Sequence, residues 1–143
     1  MKSALKSIEE GDFSAAEALL SDLLLHDPEL VEALFFRAYS RLRQLRNDEA
    51  LQDAQKCVQL RPENGIFWML QGEIHLEKSD YVTAHQDLRR ACELEPDNGR
   101  ALFWMGKASL KIGRRHEASD YFERALQFER DYVMSQWMAE QLQ

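Results

Sequence analysis

The sequence predicts an all-α fold built from stacked helical hairpins, an α-solenoid, and three observations predict it. All three prolines, Pro28, Pro62 and Pro96, stand 34 residues apart, as do Ala16, Ala50, Ala84 and Ala118; a fixed period of this length marks repeated supersecondary units. Within each period apolar residues recur at i, i+4, i+7 and i+8, as at Ala84, Leu88, Ala91 and Cys92, which places them on one helical stripe. Helix stoppers and turn formers recur at the same period. A solenoid of this kind binds along its surface, so the class of activity expected is recognition.

The elements follow in order. Residues 1–30 hold a partial unit: a shortened first helix before Gly11-Asp12, then a helix carrying Ala16, Leu20, Leu23 and Leu24. Either the array begins abruptly there or the chain is cut from a longer protein. Residues 31–64, 65–98 and 99–132 form three full rows of two helices each, with second-helix stripes Ala50, Ala54, Cys57, Val58, then Ala84 to Cys92, then Ala118, Phe122, Ala125, Leu126. Gly11-Asp12 and Gly113-Arg114 suit the tight turns inside a pair, since glycine tolerates positive φ and aspartate starts helices. Ser79-Asp80 serves there by capping. Pro62-Glu63-Asn64-Gly65 and Pro96-Asp97-Asn98-Gly99 make the corners between rows. Arg130 stands where a fourth proline would fall, so the array runs into a final helix from about Asp131, and residues 133–143 cap a single domain spanning 1–143.

The rows carry a family resemblance. Trp68-x2-Gln71-Gly72-x2-His75, followed by Ala84-x3-Leu88 and Pro96, resembles the tetratricopeptide repeat, W-x2-L-G-x2-Y, A-x3-F and P. Leu34, Ala38, Ala50, Ala54 and Pro62 repeat it, as do Leu102, Met105, Gly106, Ala118 and Phe122. Small Ala38, Gly72 and Gly106 let paired helices approach closely. Arg37 and Gln71 replace the usual leucine, and Arg41, His75 and Ser109 the usual tyrosine. Those contacts are expected to be partly polar or outward-facing. The resemblance implies a protein-interaction module, an adaptor or scaffold.

Two further columns suggest where it binds. Down the first helices run Phe35, Met69, Phe103 and Trp137, and beside them Phe36, Leu70, Trp104 and Met138. In the resembling family such positions line the concave groove, and a contiguous exposed apolar patch marks an interaction site. The same side chains could instead fill the seam between neighbouring first helices. With Leu34, Trp68 and Leu102 facing the partner helix, the apolar arc exceeds one packing face, so part of it is expected to meet a ligand. Charges alternate down the columns Tyr39, Glu73, Lys107 and Arg43, Glu77, Lys111. An intramolecular ladder explains Lys111, each exposed pair contributing at most about 1 kcal/mol; Arg100, Lys107 and Lys111 share a face that could receive a partner's carboxylate.

Family members that bind acidic chaperone C-termini use a Lys, Asn, Asn, Lys, Arg clamp. The corresponding places here are Phe35, Tyr39, Leu70, Arg100 and Trp104, or in an earlier register Met1, Leu5, Phe36, Ile66 and Leu70. Only Arg100 matches, which disfavours that mechanism. An apolar extended segment or amphipathic helix is the expected ligand, in a groove of Phe35, Phe36, Tyr39, Met69, Leu70, Glu73, Arg100, Phe103, Trp104 and Lys107. The competing expectations are homo-oligomerisation through this surface or through Trp137 and Met138, and a small dedicated chaperone similar to those of secretion systems.

Other classes find little support. The net charge of −7 disfavours a phosphate backbone or an anionic bilayer as principal partner. No apolar run approaches membrane-spanning length, and the N-terminus lacks the apolar core of a secretory signal; a cytoplasmic location is expected. His26, His75, His85 and His116 lack ligand spacing, so no metal, cofactor or catalytic site is expected. Gly106-Lys107-Ala108-Ser109 fails as a phosphate loop because Lys and Ser are not adjacent and the segment is mid-helix. Cys57 and Cys92 fall on apolar helix faces as buried thiols.

Overall fold

The computed structural model describes residues 1–128 and 132–142, so Arg130 and the helix start expected at Asp131 lie outside the described residues. Among those described there are nine helices and no strand. One compact unit, Met1–Pro62, holds α1 (Lys2–Glu9), α2 (Phe13–His26), α3 (Val31–Arg43) and α4 (Asn47–Leu60). A second, Glu63–Gln143, holds α5 (Gly65–Glu77), α6 (Tyr81–Leu94), α7 (Gly99–Lys111), α8 (Arg115–Phe128) and α9 (Tyr132–Gln141). The pairing of elements is the all-α helix–turn–helix repeat that the periodicity predicts.

The turn inside each pair is built the same way four times. Gly11, Leu45, Ser79 and Gly113, one period apart, all have positive φ, at 77°, 62°, 63° and 84°. The amide after each donates to the carbonyl five residues back: Asp12 to Ser7 at 2.8 Å, Arg46 to Arg41 at 2.9 Å, Asp80 to His75 at 2.8 Å and Arg114 to Ser109 at 2.8 Å. A left-handed residue followed by this bond closes the helix end by satisfying carbonyls that have lost their intrahelical partners. Ser79 therefore acts through its backbone, and Asp80 makes no side-chain cap bond to α6. Asp12 caps α2 as expected, accepting from Ala15 N at 3.1 Å, and the corner residues Asn64 and Asn98 turn out to cap as well, accepting from Ile66 N at 2.9 Å and Ala101 N at 3.1 Å.

Each unit has its own core. In the first, Leu20, Leu34, Ala38, Ala50, Ala54 and Cys57 are shut away from solvent, and full burial of each leucine contributes about 1.5–3 kcal/mol. In the second, Leu88, Leu102, Met105, Phe122 and Met138 form one cluster with the alanines of α6, α7 and α8. The helix pairs touch through small residues: a Cβ on Gly72 would come within 2.5 Å of Leu88 Cγ, and one on Gly106 would overlap the Phe122 ring. Both cysteines are buried and unbridged, and burial pushes each thiol pKa up to about 12, which leaves them inert.

Candidate interaction surface

The helix α7 carries the most distinctive face of the second unit. Arg100, Trp104, Lys107 and Lys111 recur at i, i+4, i+7 and i+11, one stripe down the helix, set in register by the Asn98 cap. Under this stripe lies an aromatic cluster. Phe103 is 5% exposed and sits 5.0 Å from the Trp104 ring, 6.3 Å from Phe122 and 5.5 Å, edge to face, from Trp137. Trp137 meets Phe122 at 5.4 Å, so α9 is held on by ring contacts of the favourable edge-to-face kind.

Lys107 crosses this cluster. Its Nζ lies 5.5 Å from the Phe103 ring centre and 5.2 Å from those of Trp104 and Trp137, a cation over three negative ring faces. Burial, helped by the like charge of Lys111, lowers its pKa, while Glu77 and Glu73 pull the other way. The result is an ammonium that has given up part of its hydration and is held in place, to which a carboxylate is attracted more strongly than to a free surface lysine. Arg100 and Lys111 at the two ends are exposed, with Lys111 Nζ 5.6 Å from the Tyr81 ring. Trp104 Nε1 is buried and makes no hydrogen bond among the described residues.

The two apolar columns divide between surface and core. Met69, Trp104 and Trp137 are half-buried and rest on the core of the second unit. Leu70, Phe103 and Met138 are 3%, 5% and 0% exposed, which corrects the expectation that they line an open groove or, for Met138, an exposed end cap. The reason is that α5 and α7 bury residues around more than half of their circumference: α5 hides Phe67, Leu70, Gln71, Gly72, Ile74 and His75 together. Glu73 is half-buried on α5. In the first unit Phe35 and Phe36 are half-buried and stack edge to face at 5.2 Å, and Tyr39 meets Phe13 at 6.0 Å.

The substitutions in the repeat pattern are polar, and buried rather than outward. In the first unit Arg37 grips Asp53 with Nε and Nη2, each at 2.8 Å, and Ser21 Oγ with Nη1 at 3.2 Å. Arg41 bridges Glu17 at 2.8 Å and Asp53 at 2.9 Å. Glu17 also accepts from Gln44 at 3.0 Å and from Arg46. Burial alone would raise the Glu17 pKa, but the bonds from Arg41, Gln44 and Arg46 outweigh it and hold it below the usual range. In the second unit Gln71 bonds Asp87, His75 Nε2 lies 3.6 Å from Asp87, and Ser109 Oγ donates to Glu117 at 3.0 Å, which also bonds His85 Nε2 at 3.0 Å. Asp53 and Asp87 went unremarked in the sequence although they stand one period apart. An acid recurring in the second helix opposite the polar replacements in the first was the available signal.

Comparison with known proteins settles the class. Tetratricopeptide repeat family models match residues 75–137, 7–64 and 37–94, and the chain belongs to this family. No curated protein matches. Among solved structures it is similar to a thermophilic TPR protein of Thermus thermophilus, at TM-score 0.88 and 20% identity, covering 98% of this chain and 78% of that one. It is similar to MamA of Desulfovibrio magneticus RS-1 at TM-score 0.82 and 16% identity, covering 98% and 80%. It also resembles the first TPR of Spaghetti (RPAP3) bound to the HSP90 peptide SRMEEVD, at TM-score 0.71 and 19% identity, covering 78% and 89%. At these identities the likeness is one of fold. No described helix is long and apolar enough to cross a membrane, and no group of side chains among the described residues is set to hold a metal ion.

Proposed function

We propose that this protein is an interaction module whose second unit receives an apolar peptide segment or partner helix carrying an acidic residue. The observation that carries this reading is the α7 stripe, three cations around Trp104 in a chain of net charge −7, with Lys107 held over three rings. Trp104, Trp137 and Met69 supply the amphipathic and pliable contact area that interfaces favour. Lys107, Arg100 and Lys111 supply the charge that selects the ligand. Phe35, Phe36 and Tyr39 offer the first unit a contact surface of its own, and we read 1–143 as one adaptor domain. A peptide-bound structural neighbour is compatible with this reading, although the residues here differ from the basic clamp and the peptide is expected to be captured along its length.

The test is a selection of short peptides from a display library on the full chain, followed by fluorescence titration of the winners. Winners are expected to place an acidic residue within a helical turn of an aromatic or aliphatic anchor, and to bind an Arg100→Glu/Lys107→Glu variant at least about tenfold more weakly. Circular dichroism of that variant should match the wild type. Selected peptides that bind the charge-reversed protein equally well, or that show no acidic preference, would refute the proposal.

A further inference from the structure

The first unit holds a cleft between α2 and α4 with α3 as its floor. The cleft has a volume of about 340 Å³, the low end of what small-ligand sites occupy. Its walls are mixed. Leu24, Leu25, Pro28 and Leu34 supply apolar lining, and Leu25 is 79% exposed. The polar groups of Ser21, Arg37, Gln52, Asp53 and Lys56 complete the lining.

Counting hydrogen-bonding capacity shows what such a cleft wants. Asp53, with a side chain only 6% exposed, already accepts two bonds from Arg37 and one from Arg41. Arg37 uses three of its five N–H groups, on Asp53 and Ser21. Lys56 uses one of its three, on the Pro28 carbonyl at 3.1 Å. The cleft is thus left with donors from two cations, an acid that is already engaged and the amide of the exposed Gln52, which can donate as well as accept. Free cationic donors beside apolar lining are the complement of a carboxylate on a short aliphatic stem. The guanidinium is held by Asp53 before any ligand arrives, so little ordering cost remains for binding to meet.

We propose that this cleft binds an aliphatic carboxylate, with the stem against Leu24, Leu25 and Pro28 and the carboxylate between Lys56 and Arg37. The equivalent polar places in the third row are taken by Met105 and Tyr121, so the chemistry is particular to this cleft and is not a property of the repeat.

The probe is 4-methylpentanoate, titrated at millimolar concentration into the full chain while amide shifts of Ser21, Leu25, Gln52 and Lys56 are followed by NMR. Saturable shifts confined to the cleft are expected, with no response to 4-methylpentanamide, which has the stem without the charge. Lys56→Gln should weaken binding by about tenfold, and Leu25→Asp, at an exposed position, should abolish it with the fold intact. A peptide ending in leucine separates the sources of the group: tighter binding than the free acid assigns the site to a chain terminus, and exclusion assigns it to a free small acid. No saturable shift, equal binding of the amide, or indifference to both substitutions overturns the proposal.

Discussion

Asp53 and Asp87 occupy the same place in successive repeats and meet opposite fates. Asp53 is clasped by Arg37 and Arg41, with all of its bonds at 2.8–2.9 Å. Asp87 is as deeply buried but has one Gln71 bond and an Oδ2 that makes no hydrogen bond among the described residues. Three guanidinium bonds compensate desolvation; one amide bond and a histidine at 3.6 Å do so incompletely, and burial raises the Asp87 pKa against the lowering effects of Gln71 and His75. Asp53→Ala strips both arginines of their buried partner and is expected to destabilise the fold by about 3 kcal/mol, the low end for breaking a buried pair, because Arg37 and Arg41 keep 19% and 14% of their side chains exposed. Urea unfolding measures it. A loss well under 1 kcal/mol would mean that the network is dispensable.

At the level of the elements, the turn column separates what the sequence displays from what it hides. Gly11 and Gly113 announce a left-handed turn because glycine adopts it without penalty; Leu45 and Ser79 stand in the same backbone state, at φ 62° and 63°, with no local signal, and only their period with the two glycines reveals them. For an ordinary L residue that state costs about 1–2 kcal/mol, and Leu45, 76% exposed, gains no burial in return. Leu45→Gly is therefore expected to raise stability by about 0.5–1 kcal/mol, after the entropy that glycine loses on folding, while Gly113→Ala should lower it by about 1 kcal/mol. Thermal unfolding of both variants decides the point. The same contrast runs through the candidate surface. Helix positions, pairing and the Asp12 cap were legible because each rests on short-range chemistry, whereas the cap expected at Ser79-Asp80 makes no side-chain bond. The exposure of Phe103, Leu70 and Met138 was not, because an apolar column looks the same whether its helix has one packed face or three. The Lys107 cage joins α7 to Trp137 on α9, a contact with no spacing to betray it.

Across the whole chain the carboxylates respond to acid in two directions. Glu17 and Glu117 are pulled below their ordinary values: burial opposes this in both, and is outweighed by Arg41, Gln44 and Arg46 for the first and by His85 and Ser109 for the second. A group with a depressed native pKa stabilises the fold above its unfolded value, near 4.5 for glutamate, and that contribution is lost as the pH falls through the native value. Asp87 has the reverse sign. Its native pKa is raised above the ordinary 3.8, so the native state binds a proton that the unfolded chain has released, and the fold is penalised as pH rises through that window and stays penalised above it. Glu17→Gln should thus destabilise at pH 7 and converge on wild type only as the pH falls below the ordinary 4.5, whereas Asp87→Asn should stabilise at pH 7 and lose its advantage as the pH falls towards the ordinary 3.8. Urea denaturation of the full chain and both variants across this range reads the two slopes. Parallel pH profiles for the three proteins would show that neither carboxylate titrates differently in the folded and unfolded states, and would remove the electrostatic distinction between the arginine-clasped Glu17 of the first unit and the incompletely compensated Asp87 of the second.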